Sequence, residues 1–144
     1  MKCTKLLVMA ILSFLAMYVL MYTMVDRYAN IYANLNQLYM VVMMTAAMML
    51  IEIAIMRSMY GTKVKIITAG LSIVALIGFF TFIRSQVKIS DKEFLRSMIS
   101  HHGSALLMCQ NARIQDPEIK KLCQEIISSQ QSQIDWMRTK LSTF

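Results

Sequence analysis

Two adjacent histidines, His101 and His102, are the residues of this sequence with the most evident capacity for chemistry. Methionines lie three residues before the pair and six residues after it. Imidazole nitrogen and thioether sulfur form a soft-to-borderline donor set, which suits Cu(I) first and Ag(I) as well. The candidate metal ligands are therefore Met98, His101, His102 and Met108, and further donors in the same segment are Cys109, Cys123, Gln130 and Met137. A second interpretation without metal stays open, in which His102 forms a hydrogen bond to Gln130 inside a pair of helices.

The sequence contains no recognisable catalytic set. There is no Glu-x-x-His motif of the kind that di-iron helical bundles repeat on paired helices, no Ser-His-Asp combination and no glycine-rich phosphate loop. Cys109 and Cys123 are fourteen residues apart and so do not form a Cys-x-x-Cys redox motif. We expect a protein that is not an enzyme, with no catalytic residue and no organic cofactor.

Two helices must position the histidines and methionines. Ser90 followed by Glu93 is a capping box that predicts a helix from Asp91 to about Ile114. Asp116-Pro117 then supplies a cap and a first-turn proline for a second helix that runs to about Leu141. Because only two or three residues join these helices, they must pack antiparallel, as a helical hairpin over residues 86–144.

The antiparallel arrangement also predicts which residues face each other. If the turn centres near Asp116, the numbers of facing residues add up to about 232, so Cys109 faces Cys123 and His102 faces Gln130. The cysteines then form a disulfide, or stay reduced as Cu(I) ligands, or serve as two small buried apolar residues. We favour the disulfide, because it would stabilise so small a core.

The first part of the chain resembles a membrane anchor. Up to Ile83 it carries only eight charged side chains, against fifteen in residues 84–144. Apolar runs predict three transmembrane helices over residues 6–25, 38–56 and 66–83, so residues 1–85 form the anchor and residues 86–144 the hairpin domain. Glu52, near the end of the second span, is expected to reach the membrane surface or to pair with Arg57 or Lys63. The spans are methionine-rich, which is more typical of packing than of a metal path.

Basic residues in the loops predict the orientation of the anchor. Five of them lie in the N-terminal segment and in the loop between the second and third spans, whereas the loop after the first span has only Arg27. The positive-inside rule therefore predicts a cytoplasmic N-terminus and an external hairpin, which in a bacterial inner membrane faces the periplasm. Cys3 is expected in the cytoplasm and reduced. The basic excess of three in residues 84–144 is mixed with acidic residues, so we expect no nucleic-acid partner.

The hairpin segment resembles the DUF305 family. The residues that carry the resemblance are Asp91-Lys-Glu-Phe-Leu-Arg-Ser-Met-Ile-Ser-His-His, Ala105-Leu-Leu-Met and Gln130-x-x-Gln-Ile with Met137. The sequence departs from the family pattern at Ser100, where the family usually has proline, and at Gln133, where it has glutamate. The resemblance implies a ferritin-like, four-helix-bundle type of fold and a role in copper binding or tolerance.

These observations predict an all-α, membrane-anchored, periplasm-facing protein that binds copper or silver in metal tolerance or handling. The expected partners are the lipid bilayer, a second copy of the hairpin, and metal-export or metal-handling proteins. The alternative is a non-catalytic helical assembly module without metal. Phe94, Leu122 and Trp136 favour assembly, because two helices cannot enclose all the apolar side chains of this segment.

Overall fold

The protein is all-helical, as predicted. The computed structural model describes residues 2–144, with side chains from Thr4 onward, and within them it contains helices, turns and no strand. The α-helices are α1 (Lys2–Leu20), α2 (Leu35–Ile55), α3 (Thr62–Arg84), α4 (Asp91–Asn111) and α5 (Pro117–Leu141), with 3-10 helices at Met21–Met24 and Tyr28–Asn30. The side chain of Cys3 lies outside the described residues, and so does the prediction about its thiol.

The chain divides into two compact units. The anchor unit comprises residues 1–21 and 36–88, and the hairpin unit comprises residues 22–35 and 89–144. The sequence predicted two continuous segments that meet at residue 85. The structure instead places residues 22–35, the segment between α1 and α2, in the same unit as the hairpin. We call this segment the strap.

Three helices of the anchor unit are long and apolar enough to cross a membrane. These spans are Thr4–Met24, Leu35–Ile55 and Thr62–Arg84. Large apolar side chains on them remain exposed, among them Val19 at 65% and Val74 at 69%. Exposing this much apolar surface to water would be very unfavourable, which supports membrane association. Glu52 accepts a hydrogen bond from the Tyr60 hydroxyl (3.0 Å), a partner that the sequence analysis did not name.

The hairpin unit is built on α4 and α5, which pack antiparallel around a small apolar core. The core side chains are Leu95, Ile99, Leu106, Ile134 and Met137, and Tyr32, Met98, Ile127 and Leu141 pack against them. Both predicted helix starts are confirmed. The Ser90 hydroxyl accepts from the Glu93 backbone N–H (3.5 Å), and the Asp116 carboxylate accepts from the N–H groups of Glu118 (2.8 Å) and Ile119 (3.0 Å).

Candidate metal site on the helical hairpin

His102 is buried between the two helices and has one partner for its two ring nitrogens. Its side chain lies on the core side of α4, and the residue is 8% exposed. Its Nε2 is 2.7 Å from Oε1 of Gln133 on α5. Because an amide oxygen can only accept, Nε2 is the donor, and in the tautomer that carries the proton on Nε2 the lone pair lies on Nδ1. That Nδ1 is buried and has no hydrogen-bond partner among the described residues.

The facing register predicted Gln130 as the partner of His102. The structure shows that the partner is Gln133. The difference is about one helical turn, and it follows from the direction in which helical side chains point. A side chain in an α-helix leans toward the N-terminus of its own helix. In an antiparallel pair, His102 therefore reaches toward higher residue numbers on α5, and Gln133 leans back to meet it. The family pattern carried this signal, because it has glutamate at position 133.

Gln130 lies one turn before Gln133 on α5, and its Oε1 atom is buried without a hydrogen-bond partner. The hairpin unit thus contains an unpartnered imidazole nitrogen on α4 and an unpartnered amide oxygen on α5. A buried acceptor that lacks a donor costs about 1–3 kcal/mol. Both atoms are electron-pair donors, so a cation or a small hydrogen-bond donor would offset this cost.

The remaining primary candidates also lie on α4 and differ in their exposure. Met98 and His101 are separated by three residues and share one helix face, and Met98 is half-buried against the core. The His101 ring is exposed and lies 6.0 Å from the His102 ring, measured between centroids. Met108 is 53% exposed. It is ten residues from Met98, about 15 Å along the helix, so α4 places it apart from the other three.

Cys109 and Cys123 form a disulfide between α4 and α5, with their Cα atoms 5.2 Å apart. This confirms the preferred one of the three predicted states. The metal ligand is a thiolate, so the intact disulfide removes both sulfurs from the candidate ligand set. Met137 is only 5% exposed and belongs to the apolar core, where its thioether packs against neighbouring side chains.

Histidine, cysteine and carboxylate groups alone do not form the site. Within the described residues, no three His, Cys, Asp or Glu side chains gather closely enough to hold a metal ion. A metal on this hairpin would therefore need the thioether and amide groups beside the two imidazoles. Thioether sulfur favours soft monovalent ions over hard divalent ones.

One side of the hairpin exposes large apolar side chains. On α4 they are Phe94 (51% exposed) and Met108, and on α5 they are Leu122 (53%) and Trp136 (64%). Each pair is separated by fourteen residues, about four helical turns, so its members share a face. Each of the four directly precedes a residue that faces the partner helix, and in an antiparallel pair this shared rotation places both faces on the same side of the hairpin; the residues that face the partner helix are Leu95, Cys109, Cys123 and Met137.

Comparisons with known proteins agree with the resemblance of the hairpin sequence. Residues 82–142 match the family model described as "Domain of unknown function (DUF305)". The chain is 36% identical over 145 residues to "Uncharacterized protein L153" of Acanthamoeba polyphaga mimivirus, and the alignment covers 98% of this chain and 93% of that protein. No solved structure matches the chain. Because the family model matches the whole helical hairpin, the chain belongs to the DUF305 family.

Proposed function

We propose that this protein is a membrane-anchored metal-binding protein that prefers Cu(I), can also bind Ag(I), and acts in metal tolerance or handling. The ligands are His102 through Nδ1, with His101 and Met98 from the same turn of α4. The observation that carries the proposal is the state of His102, whose Nε2 is held by Gln133 while its buried Nδ1 has no partner.

This arrangement matches the chemistry of a histidine ligand. A histidine that binds metal through one nitrogen usually donates its other ring N–H to an oxygen, which fixes the tautomer and the ring orientation. Gln133 fills that role for His102. A glutamate, which the family pattern has at this position, would do so with a full negative charge. The donor set of imidazole and thioether supplies soft ligands, which favours Cu(I) over divalent metals.

The matched glutamines of α5 allow a sharp test of this role. Gln133→Ala should weaken Cu(I) or Ag(I) binding by about 10–100-fold, because His102 loses its orienting partner. Gln131→Ala is the control, since the Gln131 amide donates to exposed Asp135 on its own helix (3.1 Å) and does not orient a histidine. Equilibrium dialysis of the full chain in detergent micelles, with the metal quantified by mass spectrometry, measures both. Equal affinities for the two variants would remove Gln133 from the proposal.

The histidines are tested by the same dialysis. Replacing both His101 and His102 with alanine should abolish stoichiometric binding and leave the helical content, measured by circular dichroism, nearly unchanged. Unchanged affinity would move the site elsewhere, and the methionines of the first two spans would be the next candidates.

The proposed location is the external side of the membrane, the periplasm if the host is bacterial. The disulfide supports this, because such bonds persist in oxidising compartments. The distribution of lysine and arginine supports it too. A reporter that is active only outside the cytoplasm, fused after Phe144, should be active, and a cytoplasmic reporter at the same position should be silent. The reverse pattern would overturn the orientation.

The exposed apolar side of the hairpin favours a second candidate function, assembly of two copies. A two-helix hairpin is half of a four-helix bundle, and two identical apolar faces related by a two-fold axis would complete it. Trp136→Ser together with Leu122→Ser should convert a cross-linked dimer into monomer. Phe144→Ser is the control, because Phe144 is equally exposed (58%) but lies beyond α5. A monomeric wild-type chain would contradict this function.

A further inference from the structure

The strap, residues 22–35, is bound to α4 by side chains that the metal site does not use. The Ser100 hydroxyl donates to the Asn30 carbonyl (3.1 Å) and accepts from the Tyr32 backbone N–H (3.4 Å). At the end of the strap, the Leu35 N–H donates to Oε2 of Glu93 (3.0 Å). The Tyr32 side chain packs against the apolar core of the hairpin. The strap is thus part of the packed domain.

Gly103 is the position where the strap lies closest to α4. A Cβ atom at this residue would lie 2.7 Å from Oδ1 of Asp26 and 3.1 Å from Cγ1 of Val25. Glycine is unfavourable inside a helix, so the close approach of Asp26 supplies the reason for it here. The Asp26 side chain is 2% exposed, and its Oδ1 accepts from the Asn30 amide (2.8 Å).

The docked strap also contains polar atoms that burial leaves unsatisfied. Oδ2 of Asp26 and Oδ1 of Asn30 are buried without a hydrogen-bond partner. The nearest cation to the carboxylate is the exposed guanidinium of Arg27, with Nε 3.7 Å from Oδ2. Undocking would return both oxygens to water, and this gain opposes the contacts that hold the strap. The free energy of hydrating these two oxygens therefore favours the undocked strap and lowers the net stability of the docked one.

We infer that the strap is a releasable latch, locked by the fit of Asp26 against Gly103 and by the two hydrogen bonds of Ser100. Its opening changes the packing of α4 next to the His101–His102 pair. The strap is also the segment that joins α1 to α2 in the chain, so the latch links the metal-site helix to two membrane spans.

Trypsin cleavage after Arg27, the strap's only lysine or arginine, measures the opening of the latch in the full chain in micelles. We expect Gly103→Ala to accelerate this cleavage at least tenfold. Gly78→Ala in α3 is the matched control, because it makes the same helical substitution where nothing lies within 4 Å of the added Cβ. The control should cleave at the wild-type rate.

A second pair of variants keeps the test decisive if Gly103→Ala does not fold. Ser100→Ala removes the two hydrogen bonds that Ser100 forms with the strap and should accelerate cleavage after Arg27 several-fold. Ser104→Ala is its control, since the Ser104 hydroxyl bonds only to the Ser100 carbonyl of its own helix (3.1 Å). Adding Gly103→Ala to Asp26→Ala should accelerate cleavage much less than Gly103→Ala does in the wild-type chain, because the 2.7 Å contact is gone and the closest one left is the 3.1 Å contact with Val25. Wild-type cleavage rates in both Ser100→Ala and Gly103→Ala would overturn the latch.

Discussion

Replacing Cys109 and Cys123 with serine is expected to lower the free energy of unfolding of the hairpin unit by about 3 kcal/mol. The disulfide closes a loop of about fifteen residues across the turn between α4 and α5. Cross-linking removes conformational entropy from the unfolded chain, and this effect has its full weight in a domain with so small a core. The double variant should therefore unfold at much lower denaturant concentration than the wild-type chain.

Urea unfolding followed by the fluorescence of Trp136, the single tryptophan, measures this loss. Trp136 lies on α5, so its signal reports the hairpin unit. Reducing the wild-type chain should produce the same shift as the double substitution, and Cys3→Ser should produce none. An unchanged midpoint in the reduced chain would show that the disulfide does not contribute to stability.

Ile134→Ala is expected to be the most destabilising single substitution in the hairpin, at about 2–5 kcal/mol. Ile134 is fully buried in the apolar core, so truncation removes packed methyl groups and leaves a cavity. Ile119→Ala is the matched control, because it makes the same change on the same helix at a residue that is 49% exposed. The control should cost about 0.5 kcal/mol or less.

The same urea measurement distinguishes the two isoleucine variants. Hydrogen exchange of the α5 amides supplies an independent value, since protection in a core helix approaches the global stability. Equal losses for Ile134→Ala and Ile119→Ala would mean that the core is not where the structure places it.

Features with local signals were predictable from the sequence. The caps of α4 and α5 depend on Ser90 and Asp116, which act on backbone groups two or three residues away. The disulfide followed from counting residues on either side of a short turn. The three apolar helices followed from composition, with bounds that differ from the predicted spans by a few residues.

The strap could not be predicted, because its contacts join residues far apart in the chain. Ser100 and Asn30 are separated by seventy residues, and nothing near either one indicates the other. Glu93 shows the same limit. The capping box assigned its carboxylate to the start of α4, whereas it accepts from Leu35 and pairs with Arg96 (2.9 Å). The Tyr32 side chain likewise packs against hairpin core residues that lie far away in the chain.

Spacing along α4 accounts for part of the arrangement of the candidate ligands. The structure turns His102 inward to Gln133 and leaves His101 exposed, because adjacent residues point about 100° apart on a helix. Which nitrogen stays without a partner depends on side-chain directions between helices, and spacing along one helix does not contain that information.

We propose that His102 binds a soft metal ion through Nδ1 while Nε2–H remains bonded to Gln133. Nitrogen-15 NMR of the histidine rings, recorded on the full chain in micelles during titration with Ag(I), tests it most directly. We predict that one equivalent of Ag(I) shifts the Nδ1 resonance of His102 and leaves its Nε2 protonated. Two results would contradict this assignment of the ligand atom. One is that neither nitrogen resonance of His102 changes, and the other is that Nε2 loses its proton and binds the metal in place of Nδ1.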